Sequence, residues 1–179
     1  MAHKAQNEIL KSLKKQYKPF FVKSKVLEIG SYNINGTIRK LFSRCDYTGI
    51  DVAPGKCVDI VCPGEKFDAP DNSFDLCISS ECFEHNPMWV ETFRNMIRMT
   101  RPGGLIIVTC ATTGRAEHGT VNAGELESLT TRIEEWKSYY KNLTEEDFRR
   151  EFDFQSVFET HTFLVNSIAC DLYFYGIKK

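Results

Sequence analysis

Two acidic residues and a glycine stand where a ligand-binding loop needs them. Glu28 and Gly30 close the apolar run Val26-Leu27-Glu28-Ile29-Gly30, and Asp51 closes a second run, Tyr47-Thr48-Gly49-Ile50-Asp51, 23 residues after Glu28. In an open parallel sheet, ligands bind beyond the carboxyl ends of the strands. Gly30 would let backbone approach a ligand closely, and Gly36 suits a turn with positive φ. Glu28 suits a cationic group and would repel a phosphate. The Gly30–Gly36 segment also lacks the G-x-G-x-x-G triplet of a dinucleotide site. A carboxylate at Asp51 can accept both ribose hydroxyls of an adenosyl group. Each feature alone has a plainer reading. The first loop reads equally as a strand-to-helix turn, and Asp51 as a turn residue before Ala53-Pro54-Gly55. The combination favours a ligand site.

His85 and His118 are the candidate catalytic bases, should a reaction require removal of a proton. The alternative for His85 is a structural role, fixing its loop or capping the next helix. His118 falls in segment 112–124, which reads as a long loop over the cleft, and its alternative is an exposed loop histidine. Tyr139 and Tyr140 either line an aromatic pocket or pack a helix.

The elements around these residues follow from periodicity. Apolar Ile9, Leu10, Leu13 and Tyr17 predict a helix over about residues 4–17, closed by Pro19. Strands are predicted at Lys25–Ile29, Tyr47–Asp51, Cys57–Val61, Phe74–Ser79 and Leu105–Thr109, the last the most hydrophobic and central. Helices are predicted from Thr37–Phe42 and from Asn86-Pro87, with Asn86 as cap and Pro87 at the first helical position. That helix carries Trp89, Phe93, Met96 and Ile97 and stops at Arg101-Pro102-Gly103-Gly104. A further helix is expected through Leu126, Leu129, Ile133 and Trp136, and a capped short helix at Thr144-Glu145-Glu146-Asp147. About Phe152–Lys179 holds two strands that pair antiparallel at one edge. Alternating strands and helices predict an α/β fold with a mostly parallel sheet and helices on both faces.

At 179 residues the chain suits one domain, 1–179. Within it, 1–20 form a basic helix and 112–150 a substrate-side loop with helices. Hydrophobic residues make up 42% and charged residues 26%, as in a soluble globular protein. No apolar run is long enough to span a bilayer, and the N-terminus lacks a secretory signal, so a cytoplasmic location and no membrane partner are expected. The net charge of −1 argues against a chain that coats nucleic acid. Lys4, Lys11, Lys14, Lys15, Lys18, Lys23 and Lys25 form one local basic bias. It reads as a solvated helix face or as a patch for an anionic or nucleic-acid substrate. Seven cysteines without a C-x-x-C pair or nearby paired histidines suggest buried, reduced thiols, neither a disulfide framework nor a metal site.

The ordered motifs resemble the class I S-adenosylmethionine-dependent methyltransferases, particularly the broad small-molecule group that includes the methyltransferase type 11-like domains. Val26–Gly36 is similar to the first motif and Ile50-Asp51 to the ribose-binding position. Gly64-Glu65-Lys66-Phe67 with Pro70–Asp75 is similar to the adenine loop and the strand after it. Ser79-Ser80-Glu81-Cys82-Phe83-Glu84-His85 resembles a segment often spelled S-S-E-V-L-E-H, and Arg101–Gly104 the turn before the fifth strand. The resemblance covers about Val26 to Thr109. It implies a three-layer Rossmann-like sandwich with a seven-stranded, mostly parallel sheet and an antiparallel last strand. It also implies S-adenosylmethionine as cofactor, S-adenosylhomocysteine as product, and methyl transfer by in-line displacement. Gly30, with Ser31 and Tyr32 behind it, would contact the methionine moiety, and Glu28 its ammonium. Asp51 would hold the ribose and Val52 the adenine face. Gly64 and Glu65 would meet the adenine edge, and Ser80 and Glu81 the sulfonium and the substrate mouth. The chain departs from the family pattern twice. Tyr32 or Asn33 replaces the second glycine of the first loop, and Pro63 stands where many relatives have Asp. The expected acceptor is a small molecule. A non-catalytic adenosine-binding module and a nicotinamide-dependent oxidoreductase are the competing classes. The cleft is expected to be open, closed by a second copy in a homodimer, or completed by a larger substrate.

Overall fold

The computed structural model describes residues 4–124 and 128–179. In chain order they form α1 (Lys4–Gln16), β1 (Lys25–Ile29), β2 (Asp46–Asp51), β3 (Ile60–Val61), β4 (Phe74–Ser80), α2 (Trp89–Met99), β5 (Thr100–Ala111), α3 (Glu145–Glu151), α4 (Phe154–Val157), β6 (Phe158–Asn166) and β7 (Asp171–Lys178). The seven strands make one sheet in the order β3-β2-β1-β4-β5-β7-β6. The pairs from β3 to β5 are parallel, and β7 runs antiparallel to both β5 and β6. This is the expected mixed sheet with an antiparallel last strand.

The interior strands are apolar on both faces, as a sheet covered on both sides requires. Successive side chains alternate faces. Val26, Leu76, Ile78, Leu105 and Ile107 point to one face, where Leu10 and Leu13 of α1 pack with Phe21, Ile38 and Leu41. Leu27, Ile29, Cys77, Ile106 and Val108 point to the other, under α2 and the aromatic cluster of α3, α4 and the β6–β7 hairpin. Phe93 is at the centre of that cluster, with ring centroids of Phe148 and Phe174 at 5.3 and 5.4 Å, both edge-on. α3 is held by the expected capping box between Thr144 and Asp147.

Four local expectations are corrected. No α-helix connects β1 to β2. Ile38–Leu41 is a single 3-10 turn between extended Thr37 and Phe42. Its apolar residues already pack beneath α1. Arg39 is drawn across to Asp59 Oδ2 at 2.5 Å and to the Cys57 carbonyl at 3.1 Å. Second, α2 starts at Trp89 with Met88 as its N-cap. Asn86 instead accepts from the Met88 N–H at 2.8 Å, a turn before the helix, and donates to Thr92 Oγ1 at 2.9 Å. Third, the helix expected through Trp136 is a 3-10 turn, Leu129–Arg132, followed by turns. Hydroxyls compete with the backbone there, as in the 2.6 Å bond from Thr131 Oγ1 to the Ser128 carbonyl. Leu126, also expected on that helix, lies outside the described residues. Fourth, the third strand is only Ile60–Val61. Burial of the cysteines holds for Cys77 and Cys110, while the other five are partly exposed; all seven are free thiols. No described helix is long and apolar enough to cross a membrane.

Candidate cofactor and acceptor site

The carboxyl ends of β1, β2 and β4 open into a cleft, with about 640 Å³ of empty space when the adjoining open solvent is included. Glu28, Gly30, Ser31, Tyr32, Asp51, Ser80, Glu81 and His85 line it. A smaller cavity adjoins it, lined by Val52, Cys62, Gly64, Asn86 and Trp136. The two share Gly30, Asp51, Cys82 and Thr130. The sequence-predicted residues are thereby brought together, with two exceptions. Glu65 lines neither cavity, and His118 stands behind the cleft wall, its ring centroid 5.0 Å from that of His85.

Gly30 has φ of 80°, a left-handed conformation that side chains disfavour. A Cβ there would lie 2.5 Å from Cys82 Cβ. The glycine therefore permits both the turn out of β1 and the close approach of the segment after β4. Gly36, expected at a positive φ, has φ 158°, close to extended backbone. Asp51 folds the first loop against itself. Its Oδ2 accepts from the Tyr32 N–H at 3.0 Å and its Oδ1 from the Val52 N–H at 2.8 Å. Each oxygen keeps a second lone pair for a ligand. Burial raises the Asp51 pKa, and these two amides offset part of that rise.

Glu28 is buried and accepts a 2.8 Å bond from the Tyr47 hydroxyl. Burial pushes its carboxyl up to about 8, opposed by the Tyr47 bond and by Arg39. A group so placed binds a proton or waits for a cation. The Ser31 hydroxyl is also buried without a hydrogen-bond partner. At the far side Glu81 takes a left-handed φ of 51°, the kind of strained backbone that concentrates at functional sites. Burial first, then the neighbouring Glu84, pushes Glu81 up.

Several contributors left no motif in the sequence. Gln6 of α1 reaches across the sheet end, donating to Ser80 Oγ and, at 3.0 Å, to Thr109 Oγ1. Thr109 in turn donates to Glu81 Oε1 at 3.2 Å. Arg115 joins the acidic end, 3.1 Å from Asp171 Oδ1 and 4.0 Å from Glu81 Oε2. Tyr140 packs near the two histidines, with ring centroids 5.5 Å from His85 and 5.1 Å from His118. An unpaired glutamine on an apolar helix face was the available signal for Gln6; nothing local marked Arg115.

Residues 27–108 match the family model of a methyltransferase domain. No curated protein matches the sequence. Among solved structures, the chain is similar to a Burkholderia thailandensis 1,6-didemethyltoxoflavin-N1-methyltransferase bound to 1,6-didemethyltoxoflavin and S-adenosylhomocysteine. That match has 14% identity and a TM-score of 0.66, and covers 98% of this chain and 78% of that one. A Haemonchus contortus phosphoethanolamine N-methyltransferase 2 in complex with S-adenosyl-L-methionine is 16% identical with a TM-score of 0.62, over 96% of this chain and 52% of that one. An Aquifex aeolicus S-adenosylmethionine-dependent methyltransferase is 12% identical with a TM-score of 0.63, over 97% and 89%. Identities this low speak to fold alone. The sheet order is that of the class I S-adenosylmethionine-dependent methyltransferase fold, and residues 27–108, a little under half of the chain, match the methyltransferase domain model.

Proposed function

We propose that this chain binds S-adenosylmethionine across the two joined cavities and transfers its methyl group to a small-molecule acceptor. The observation that carries this reading is the meeting of a cleft lined by Glu28, Asp51, Ser80 and Glu81 with a smaller cavity at Gly30, Asp51 and Cys82. The residues suit the cofactor. Glu28 is a buried carboxyl able to take a cationic amine, and Ser31 offers a buried hydroxyl with unused hydrogen-bonding capacity. Asp51 would accept the ribose hydroxyls, while Val52, Gly64 and Trp136 would enclose the adenine. The cofactor supplies an activated sulfonium methyl. The chain's part is alignment: Gly30 and Tyr32 fix the methionine end, and Ser80 and Glu81 face the reacting carbon. Such positioning can contribute roughly 7–11 kcal/mol. His85 stands at the acceptor end, where a proton would leave, with His118 behind it. Burial, and then His118, pushes His85 down to about 3, so it is neutral at physiological pH. The small-molecule acceptors named for the Burkholderia and Haemonchus enzymes support the acceptor class.

Calorimetric titration with S-adenosylmethionine, S-adenosylhomocysteine and NAD tests the reading. Saturable binding of the first two without a response to NAD is expected. Asp51→Ala removes charge-assisted bonds of roughly 1.5–3 kcal/mol each and should weaken binding at least tenfold. Unchanged affinity in the variant, or competition by NAD, would overturn the assignment. Release of S-adenosylhomocysteine from an acceptor panel separates an enzyme from an inert binding module.

A further inference from the structure

A second cluster lies against the acceptor end of the cleft. Glu84 and His85 sit on the 3-10 turn Phe83–His85 after β4, and His118 comes from the 112–124 loop. Each offers one ligand atom, and the three atoms lie within 4.8 Å of one another. The Nε2 atoms of His85 and His118 are each 4.0 Å from Glu84 Oε1.

The surroundings build the cluster rather than merely permit it. Glu84 is fully buried, and among the described residues neither carboxylate oxygen meets hydrogen-bond geometry. The Glu84 and Ala111 amides and Arg115 lie near enough to favour its charged form. A buried carboxylate left so costs free energy that a cation would offset. His85 is buried, and its Nδ1 has no partner among the described residues. His118 Nδ1 is 3.1 Å from the Ala116 carbonyl. Donation there fixes the tautomer and turns Nε2 toward Glu84, the usual outer support of a metal-bound imidazole. Gly119 has φ of 62°, and a Cβ on it would lie 2.9 Å from His85 Cε1. The glycine thus lets the loop pass close enough to set the two imidazoles side by side. Asn142 Nδ2 donates to the Arg115 carbonyl of the loop at 2.8 Å, and Lys141 N donates to the Glu84 carbonyl at 2.9 Å, so one segment ties the loop to the turn that bears Glu84. The buried Tyr140 hydroxyl, also without a partner, adds a further oxygen to the wall.

We propose that Glu84, His85 and His118 bind a divalent transition-metal ion beside the methyl-transfer cleft, with an open position facing the acceptor through His85. Two imidazoles and one carboxylate suit zinc, manganese, iron or cobalt, and three protein ligands leave a place for water or substrate. Ligand atoms about 2.0–2.2 Å from such an ion stand roughly 3.4 Å apart in a tetrahedral site. Side-chain shifts of about half an ångström would close the present cluster onto it. A sequence scan for paired cysteines and histidines does not find this site, because Glu84-His85 and His118 meet only in the fold.

Resting on the methyltransferase reading, the ion defines an acceptor class: a hydroxyl or phenol that coordinates through oxygen. Coordination lowers the pKa of that hydroxyl, as it does for metal-bound water. Its proton leaves to solvent. The oxygen lone pair then forms the new O–C bond as the sulfonium C–S bond breaks, leaving a neutral thioether and a methyl ether.

The test uses the full chain, stripped with chelator and titrated with Co²⁺ while the d–d absorption is followed. One Co²⁺ per chain is expected. His118→Ala should weaken binding by more than the roughly 10–100-fold that loss of a supporting hydrogen bond costs a metal site. Its S-adenosylmethionine affinity should stay within about twofold, because His118 lines neither cavity. Glu84→Gln should act as His118→Ala does. It replaces a buried group, so the loop variant keeps the test decisive if Glu84→Gln misfolds. Acetohydroxamate, an oxygen-donor probe, should shift the cobalt spectrum by entering the open position. No stoichiometric uptake, or uptake equal in wild type and His118→Ala, overturns the site. An unshifted spectrum overturns the open position and with it the oxygen acceptor. Loss of S-adenosylmethionine binding in wild type would instead overturn the methyltransferase reading and leave the metal site standing.

Discussion

Glu28 illustrates how burial sets the behaviour of a single side chain. In the ligand-free protein its pKa is pushed up to about 8, chiefly by desolvation. A bound ammonium favours the carboxylate, so binding must release the proton Glu28 holds below that pH. Cofactor affinity should therefore rise from pH 6 to 7.5, a range in which an α-amino group with a pKa of roughly 7.7–8.0 stays largely charged. Glu28→Gln should bind at least several-fold more weakly and lose most of this pH dependence. Calorimetry at three pH values checks it, and equal slopes in the two proteins would remove Glu28 from the ammonium site. The acidic type and strand-end position of Glu28 are visible in the sequence. Its partner Tyr47 is not, because the Tyr47–Glu28 pair forms across the parallel register of β1 and β2.

At the scale of elements, the helices serve the site from a distance. α2 is the clearest amphipathic segment of the sequence, and its Phe93 side chain is fully buried among Phe148, Phe154, Phe158 and Phe174. Phe93→Ala removes a ring from a closely packed cluster. It should destabilise the protein by about 3–5 kcal/mol in denaturant unfolding, the usual cost of such a cavity. A loss below about 1 kcal/mol would mean that the cluster collapses into the space. The body of α2 was legible from its apolar periodicity and the start of α3 from its capping chemistry, whereas the start of α2 was not. The segment after β1 was not. Ile38 and Leu41 carry a helical spacing, but α1 already covers that face and Arg39 is recruited by Asp59. Tertiary competition therefore stops the segment at one 3-10 turn.

For the whole molecule, buried carboxyls make folding depend on pH. Glu28 has its folded pKa raised above the unfolded value, and Glu81 is raised too. Between the two pKa values the folded state binds more protons than the unfolded chain, so stability falls as pH rises. His85 acts in the opposite sense, but only below its unfolded pKa of roughly 6.5. The window in which the carboxyls act alone is therefore about pH 6.5 to 8. Chelator-treated, cofactor-free protein should lose stability across it, by up to about 1.4 kcal/mol per pH unit for each such group. Urea midpoints at both ends of the window measure this, and Glu28→Gln should show a shallower decline. A flat or rising profile would contradict the buried-carboxyl picture. By itself, the sequence determined the sheet, the antiparallel end and the loops that bear Gly30, Asp51 and Glu81. Those features rest on side-chain periodicity and strand-end chemistry within a few residues of one another. Only the tertiary structure decided the rest. Gln6 meets Ser80, Arg115 meets Asp171, and His118 meets Glu84 and His85. Each of these contacts joins residues far apart in the chain, and only the closed sheet and its packed loops bring them within bonding distance.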